Sequence, residues 1–237
     1  MKKRRISLYI IGLLMLSSLP LQAQEQGQQT TQNKPLTDEE WKAMPLYQGT
    51  MLGIDVAGLA GKALGNDVTS SEVIVTANLK NRFFPVAEVG YGTIDTTDEE
   101  TSIHYKTSAP YFRVGVDYNV FYRKPYLPGY FTVGLRYGFS SFKYDVKAPD
   151  LTDPNWGHTS VPVSYEGVKS NAGWAELVVG MKTNVYKGFY MGFSVRYRSR
   201  LSLTKHENSE PYYIPGFGKG GKTNFGITYN LIYKLPF

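Results

Sequence analysis

From residue 47 onward, apolar and polar side chains alternate with period two, the spacing that puts successive residues on opposite faces of a strand. Thr50, Leu52, Ile54 and Val56 oppose Met51, Gly53, Asp55 and Ala57; Val73, Val75, Ala77 and Leu79 oppose Glu72, Ile74, Thr76, Asn78 and Lys80. A weaker third segment sets Ala87, Val89 and Tyr91 against Val86, Glu88, Gly90 and Gly92. The pattern returns over 111–120, 131–140, 174–182 and 189–198, where the polar sides carry Arg113 and Asp117, then Arg136, then Glu176 and Lys182, then Arg196 and Arg198. A last segment, 223–237, has Phe225, Ile227, Tyr229, Leu231, Tyr233, Leu235 and Phe237 on one face and Asn224, Gly226, Thr228, Asn230 and Lys234 on the other. Eight strands are predicted.

Short turns are expected at Asn81-Arg82, around Lys124 to Gly129, and at Lys187-Gly188, and longer polar loops near 60–70, 95–107, 145–171 and 199–221. This alternation of short and long connections fits an all-β, eight-stranded antiparallel up-and-down barrel that crosses a membrane, with both termini on the short-turn side. A soluble lipocalin-like barrel would also alternate. Two features favour the membrane. The apolar faces carry no charge, as lipid requires, and Gly53, Gly90, Gly92, Gly115, Gly134, Gly138, Gly180, Gly192 and Gly226 all share the polar face. Inside a narrow barrel, glycine leaves room for long side chains from the facing wall.

The N-terminus changes the reading of location and charge. Lys2 to Arg5, an apolar stretch from Ile6 to Leu16 and the small-residue site Leu21-Gln22-Ala23 form a secretory signal, residues 1–23, with cleavage expected after Ala23. The apolar stretch is too short for a spanning helix, which needs about 20 residues. The whole chain carries 26 basic and 20 acidic residues; the first 23 hold four of the basic ones, leaving a net +2, so no nucleic-acid partner is expected. There is no cysteine, which excludes disulfides, thiolate metal sites, a cysteine nucleophile and a lipoprotein anchor. Residues 24–46 read as a flexible periplasmic leader that ends in a short helix, started by the capping-box spacing Thr37-Asp-Glu-Glu40 and stopped before Pro45. The barrel is expected over 47–237.

Two groups of residues are candidates for specific roles. Glu88, Arg113, Asp117, Arg136, Glu176, Lys182 and Arg196, together with Asp55, Glu72, Lys80, Arg198, Lys222 and Lys234, point inward with both signs in comparable numbers. An eight-stranded barrel is only just wide enough for its side chains to fill it, so a lumen closed by ion pairs is expected, the first seven residues forming its network. The alternative is a narrow channel for small solutes lined by the same groups. The second group, Tyr229, Leu231, Tyr233, Leu235 and Phe237, looks like the assembly signal that barrel-insertion machinery reads.

The stretches Leu79-Lys-Asn-Arg-Phe-Phe-Pro85, His104-Tyr-Lys-Thr-Ser-Ala-Pro-Tyr111, Gly134-Leu-Arg-Tyr-Gly-Phe-Ser-Ser-Phe-Lys-Tyr144, Tyr213-Ile-Pro-Gly-Phe-Gly218 and Tyr229-Asn-Leu-Ile-Tyr-Lys-Leu-Pro-Phe237 resemble a family of small outer-membrane barrels from Bacteroidota, classed as a domain of unknown function. The resemblance covers nearly all of the mature chain. It implies the fold and an outer-membrane location, and brings no catalytic or binding residues.

Other chemistry is thinly represented. His104, His158 and His206 fall in three different predicted loops, and no two lie at metal-ligand spacing. Ser140, Ser141 and Ser160 have no histidine on a predicted strand and no Gly-x-Ser-x-Gly elbow, so neither an enzyme nor a cofactor is expected. The loops 145–171 and 199–221 hold Trp156, Tyr165, Tyr212, Tyr213 and Phe217 among charges, suiting a protein or glycan contact. Arg196, Arg198, Arg200, Lys205, Lys219 and Lys222 cluster near the outer end of the last two strands, where lipopolysaccharide phosphates are possible partners. Expected, then, is an exported structural or interaction barrel with a plugged lumen, held in outer-membrane lipid and working through its external loops or an envelope protein.

Overall fold

The computed structural model describes residues 34–58, 67–152, 160–206 and 209–236. The signal and most of the leader, the tip of the 145–171 segment with His158, and Phe237 lie outside them. A six-residue helix, α1 (Asp38–Ala43), is followed by β1 (Tyr47–Asp55), β2 (Val68–Leu79), β3 (Phe83–Thr97), β4 (His104–Asn119), β5 (Gly129–Thr152), β6 (Ser160–Tyr186) and β7 (Phe189–Leu203). A small hairpin comes next, β8 (Tyr213–Ile214) and β9 (Gly218–Lys219), and then β10 (Thr223–Lys234). β1 to β7 and β10 close into an antiparallel barrel in the ring order β1-β10-β7-β6-β5-β4-β3-β2. It is the eight-stranded up-and-down barrel that the alternation predicts.

One end of the barrel is made of short connections. Lys80-Asn81, in the three-residue connection between Leu79 and Phe83, and Lys187-Gly188, in the two-residue one between Tyr186 and Phe189, all have positive φ, the turn conformation that matches the strand twist. The segment 120–128 makes the third connection. At the other end the structure corrects the predicted loops. β3 runs to Thr97, β4 starts at His104, and β5 and β6 pair as far as Thr152 with Ser160, so most of 95–107 and 145–171 is paired strand. The reason is physical: the inner face still buries Tyr105, Val146 and Val168 against the apolar cluster while the outer face turns polar, so the ladder continues after the outward apolar pattern has faded. His104 accordingly begins a strand, bonded to Thr97 and facing Asp95.

Burial is inverted relative to a water-soluble domain. Leu52, Val75, Val89, Val114, Leu135, Leu177, Val195 and Leu231 all face outward and exposed, while the glutamates and arginines of the same strands are buried. Aromatic cross-strand pairs border this belt at the short-turn end, Phe189 with Tyr233 at 4.7 Å and Phe83 with Tyr118 at 5.6 Å, and towards the loop end, Tyr197 with Phe225 at 5.1 Å.

Candidate functional site: a filled lumen in three tiers

The middle of the lumen is a charge network. Glu88 on β3 is 1% exposed and accepts from three arginines: Arg136 on β5, Arg113 on β4 at 3.0 Å and Arg196 on β7 at 2.7 Å. Arg113 also binds Glu72 on β2, and Arg196 reaches Glu72 at 3.3 Å. Glu176 on β6 takes Arg113 at 2.9 Å, Arg198 at 3.4 Å and Arg196 at 3.5 Å, and accepts the Trp174 indole N–H at 2.7 Å. Towards the short-turn end, Asp117 bridges Arg136 at 3.1 Å and Lys182 at 3.7 Å. Five cations therefore interlock with four carboxylates drawn from six strands. The pairing is by charge more than by ideal forks: the Nε atoms of Arg113, Arg136, Arg196 and Arg198 and Glu176 Oε2 are buried without an aligned hydrogen bond.

All seven residues singled out from the sequence face inward here, with Glu72 and Arg198 joined to them. Arg136 and Glu176, both placed in the network by the sequence, do not touch directly. They are register partners across β5 and β6, but Arg136 turns to Glu88 and Asp117, and Glu176 to Arg113, Arg196 and Arg198. Lys222 is exposed rather than inward, Lys80 sits in the turn, and Lys234 is half-buried at the short-turn end. Arg196 and Arg198 are spent on the lumen, which removes them from the cluster of external cations; Lys205, Lys219 and Lys222 stay on the outside.

The facing glycines make the network possible. A Cβ on Gly115 would lie 2.6 Å from Arg136 Cγ, and one on Gly226 would lie 2.7 Å from an Arg198 guanidinium nitrogen. At Gly90 and Gly138 the added carbon would collide with the rings of Tyr111 and Trp174. Small residues on one wall thus set the space for long side chains from the next.

Above the network, at the loop end, the last connection folds back into the barrel. The β8-β9 hairpin buries Tyr213, Ile214 and Phe217 against Ile94, Tyr105, Tyr111, Phe142, Tyr144 and Trp174. Its backbone is held from below and from the side: Arg113 donates to the Gly216 carbonyl at 2.7 Å, Arg198 to the Phe217 carbonyl at 2.9 Å, and Tyr105 Oη to the Tyr213 carbonyl at 2.9 Å. Gly216 has φ +81°, where a side chain would be strained, and a Cβ there would lie 2.5 Å from Tyr111. Below the network, Met51, Phe84, Tyr190 and Ile232 form a second apolar cluster with Tyr130 against it. The lumen is therefore not polar throughout: Met51 and Ile74, which the alternation already places inward, are joined there by Val178 and Ile232, which it does not assign.

Among Glu88, Asp117, Arg136, Lys182 and Arg196 the space left is about 20 Å³, close to the minimum for one water molecule, while beside the hairpin at the loop end a cavity of about 420 Å³ is lined by Asp55, Glu72, Arg113, Arg198 and Tyr213. A vestibule of about 430 Å³, lined by Gln48, Asn78, Lys124, Tyr130 and Tyr190, opens at the short-turn end. Outside the barrel at that end, Thr37 caps α1 by accepting from the Glu40 N–H, while Glu40 accepts the Thr37 N–H at 2.8 Å. Those bonds from the Thr37 backbone and hydroxyl hold the Glu40 carboxyl below the ordinary glutamate range. Of the proposed assembly segment, Tyr229, Leu231 and Tyr233 face outward and exposed, and Leu235 is half-buried.

Fold and lumen together define a small antiparallel barrel with a filled interior. The chain belongs to a family described as a domain of unknown function, DUF6048, whose model matches residues 6–237. No curated protein matches it. Among solved structures it is similar to a major outer membrane protein from Thermus thermophilus, at 12% identity over 79% of this chain and 100% of that one, with a TM-score of 0.46. It is also similar to Neisserial surface protein A, at 9% identity over 80% of this chain and 99% of that one, with a TM-score of 0.37.

Proposed function

We propose that this protein spans the bacterial outer membrane as a closed barrel and acts as a structural or interaction element through its loop-end surface, with no solute path and no catalysis. The observation that carries this reading is the inverted burial: exposed Val, Leu and Ile on the outer wall of strands whose inner wall buries Glu88, Arg113, Glu176 and Arg196. In water such an apolar belt costs about 25 cal/mol for each Å² left exposed. In lipid it costs nothing, and the closed ring leaves no unpaired strand edge to the hydrocarbon along the paired registers.

The same reading takes residues 1–23 as a cleaved export signal. It takes Tyr229, Leu231, Tyr233, Leu235 and Phe237 as the segment recognised by the insertion machinery, and the short-turn end as periplasmic. External Lys205, Lys219 and Lys222 then suit lipopolysaccharide phosphates. The test is electrophoretic. The protein purified from membranes should migrate differently before and after boiling, because a closed barrel resists detergent until heated. Recovery as a soluble periplasmic monomer with no such shift would overturn the reading.

A further inference from the structure

At the short-turn end, outside the lumen, one arginine is stacked among four aromatic rings and paired with no carboxylate among the described residues. Arg82 follows the β2-β3 turn. Its guanidinium carbon lies 4.8 Å from the ring centre of Tyr122, 5.2 Å from Phe83, 5.3 Å from Trp41 and 5.5 Å from Tyr118. The rings support one another: Trp41 meets Tyr122 edge-on at 5.6 Å, and Tyr118 packs on Phe83 at 5.6 Å. Trp41 is itself fixed by donating to the Lys80 carbonyl at 3.0 Å. The cage thus ties α1 to the barrel.

Rings satisfy the faces of a guanidinium and leave its in-plane N–H groups needing an acceptor. None is present among the described residues. Arg82 Nε is buried without a hydrogen bond, and no carboxylate pairs with the side chain. Of the three acids on α1, Asp38 pairs with Arg123 and Glu40 is held by Thr37, while exposed Glu39 pairs with no cation among the described residues. Two further cations flank the cage. Lys80 Nζ sits 5.3 Å from the Trp41 ring, and Arg123 stacks on Tyr122 at 5.6 Å.

We infer that Arg82 in its aromatic cage is a binding site for the phosphate of a phospholipid headgroup, with Lys80 adding charge. This rests on the membrane reading above. Phe83, the next residue, is exposed on the outward wall at the edge of the apolar belt, so an acceptor reaching the Arg82 fork from that side arrives at headgroup depth. A planar fork at that depth suits two phosphate oxygens.

The test uses the full-length mature protein, folded in a nonionic detergent and stripped of lipid. Native mass spectrometry and the heat-modifiable melting midpoint are read with three probes: short-chain phosphatidylglycerol, diacylglycerol of the same chain length, and inorganic phosphate. The wild type should retain phosphatidylglycerol and melt higher with it, with little response to the other two. Arg82→Gln should weaken that binding by about tenfold, the order of one charge-assisted hydrogen bond, and Arg82→Lys should fall between. Equal binding of phosphatidylglycerol by wild type and Arg82→Gln overturns the site, as does equal stabilisation by diacylglycerol or by free phosphate. Should Arg82→Gln fail to fold, the three probes on the wild type still decide. A wild type that shows heat-modifiable folding but no phosphate preference refutes this site and leaves the membrane reading standing. A wild type with no heat-modifiable barrel refutes both.

Discussion

Arg113 donates to the carbonyl of Gly216 at 2.7 Å, joining the middle of β4 to the tip of a hairpin 103 residues later in the chain. The same guanidinium holds Glu72 and Glu88 through its other nitrogen. One side chain therefore links the charge network to the hairpin that covers it, so the two act as a single closure.

The hairpin tip is the place to test that link without touching a charge. Gly216→Ala puts a side chain at φ +81° and presses it on Tyr111. It should cost more than about 1 kcal/mol, since strain of this kind exceeds what a stiffer unfolded chain returns. The urea midpoint should fall, and limited proteolysis should cut between β7 and β10, where the wild type resists. A variant as resistant as wild type would mean that the hairpin does not sit against Tyr111.

Removing one member of the network leaves opposite charges buried and uncompensated. Arg136→Ala should therefore destabilise by about 3 to 5 kcal/mol, the range for breaking a buried pair. A double-mutant cycle then maps the connections. Arg136 with Glu88, in direct contact, should couple more strongly than Arg136 with Glu176, which share only intermediaries. The reverse order would contradict the pairing described here.

Much of this architecture is legible in the alternation, because a strand with one face in the barrel interior and an uncharged apolar outer face has nowhere else to put its charges. Glu88, Arg113, Arg136 and Arg196 announce themselves as charges at inward positions. Three features are not legible. Register sets which carboxylate each arginine reaches, so Glu72 looks no different from Asp55, and Arg136 passes by its register partner Glu176. The hairpin Tyr213–Lys219 is too short to alternate and is rich in Pro and Gly, so it reads as external loop; its burial depends on Tyr105, Tyr111 and Trp174, which are far away in sequence. Inward Val178 and Ile232 interrupt a mainly polar face, and only the assembled ring shows that they pack inside the barrel beside charges rather than on its outer wall.

Acid should loosen α1 through its cap. Glu40 is held below the ordinary glutamate range by Thr37, so its contribution is fully present above that range and is lost as pH falls through the lowered value. A carbon-detected NMR titration should find the Glu40 carboxyl titrating low, and Thr37→Ala should return it towards the ordinary value while shifting the Trp41 indole resonance. An unchanged titration in Thr37→Ala would show that the capping box does not form in solution.

Assembly can be separated from stability at the last strand. Replacing Tyr233 and Phe237 together with Ser removes the exposed Tyr233 ring and the last aromatic of the proposed signal while leaving the residues of the charge network unchanged. The protein should still be exported, yet insert poorly. Fractionation that finds the double variant fully inserted would remove the C-terminal segment from the recognition step.

The central claim is closure, and electrical recording in planar bilayers tests it most directly. With about 20 Å³ left around Glu88, Asp117, Arg136, Lys182 and Arg196, the tight tier that any path would have to cross, the wild type should show no steady conductance across a range of voltages. A reproducible open channel in the wild type, together with a urea midpoint unmoved by Arg136→Ala, would contradict the closed lumen and make the protein a narrow channel.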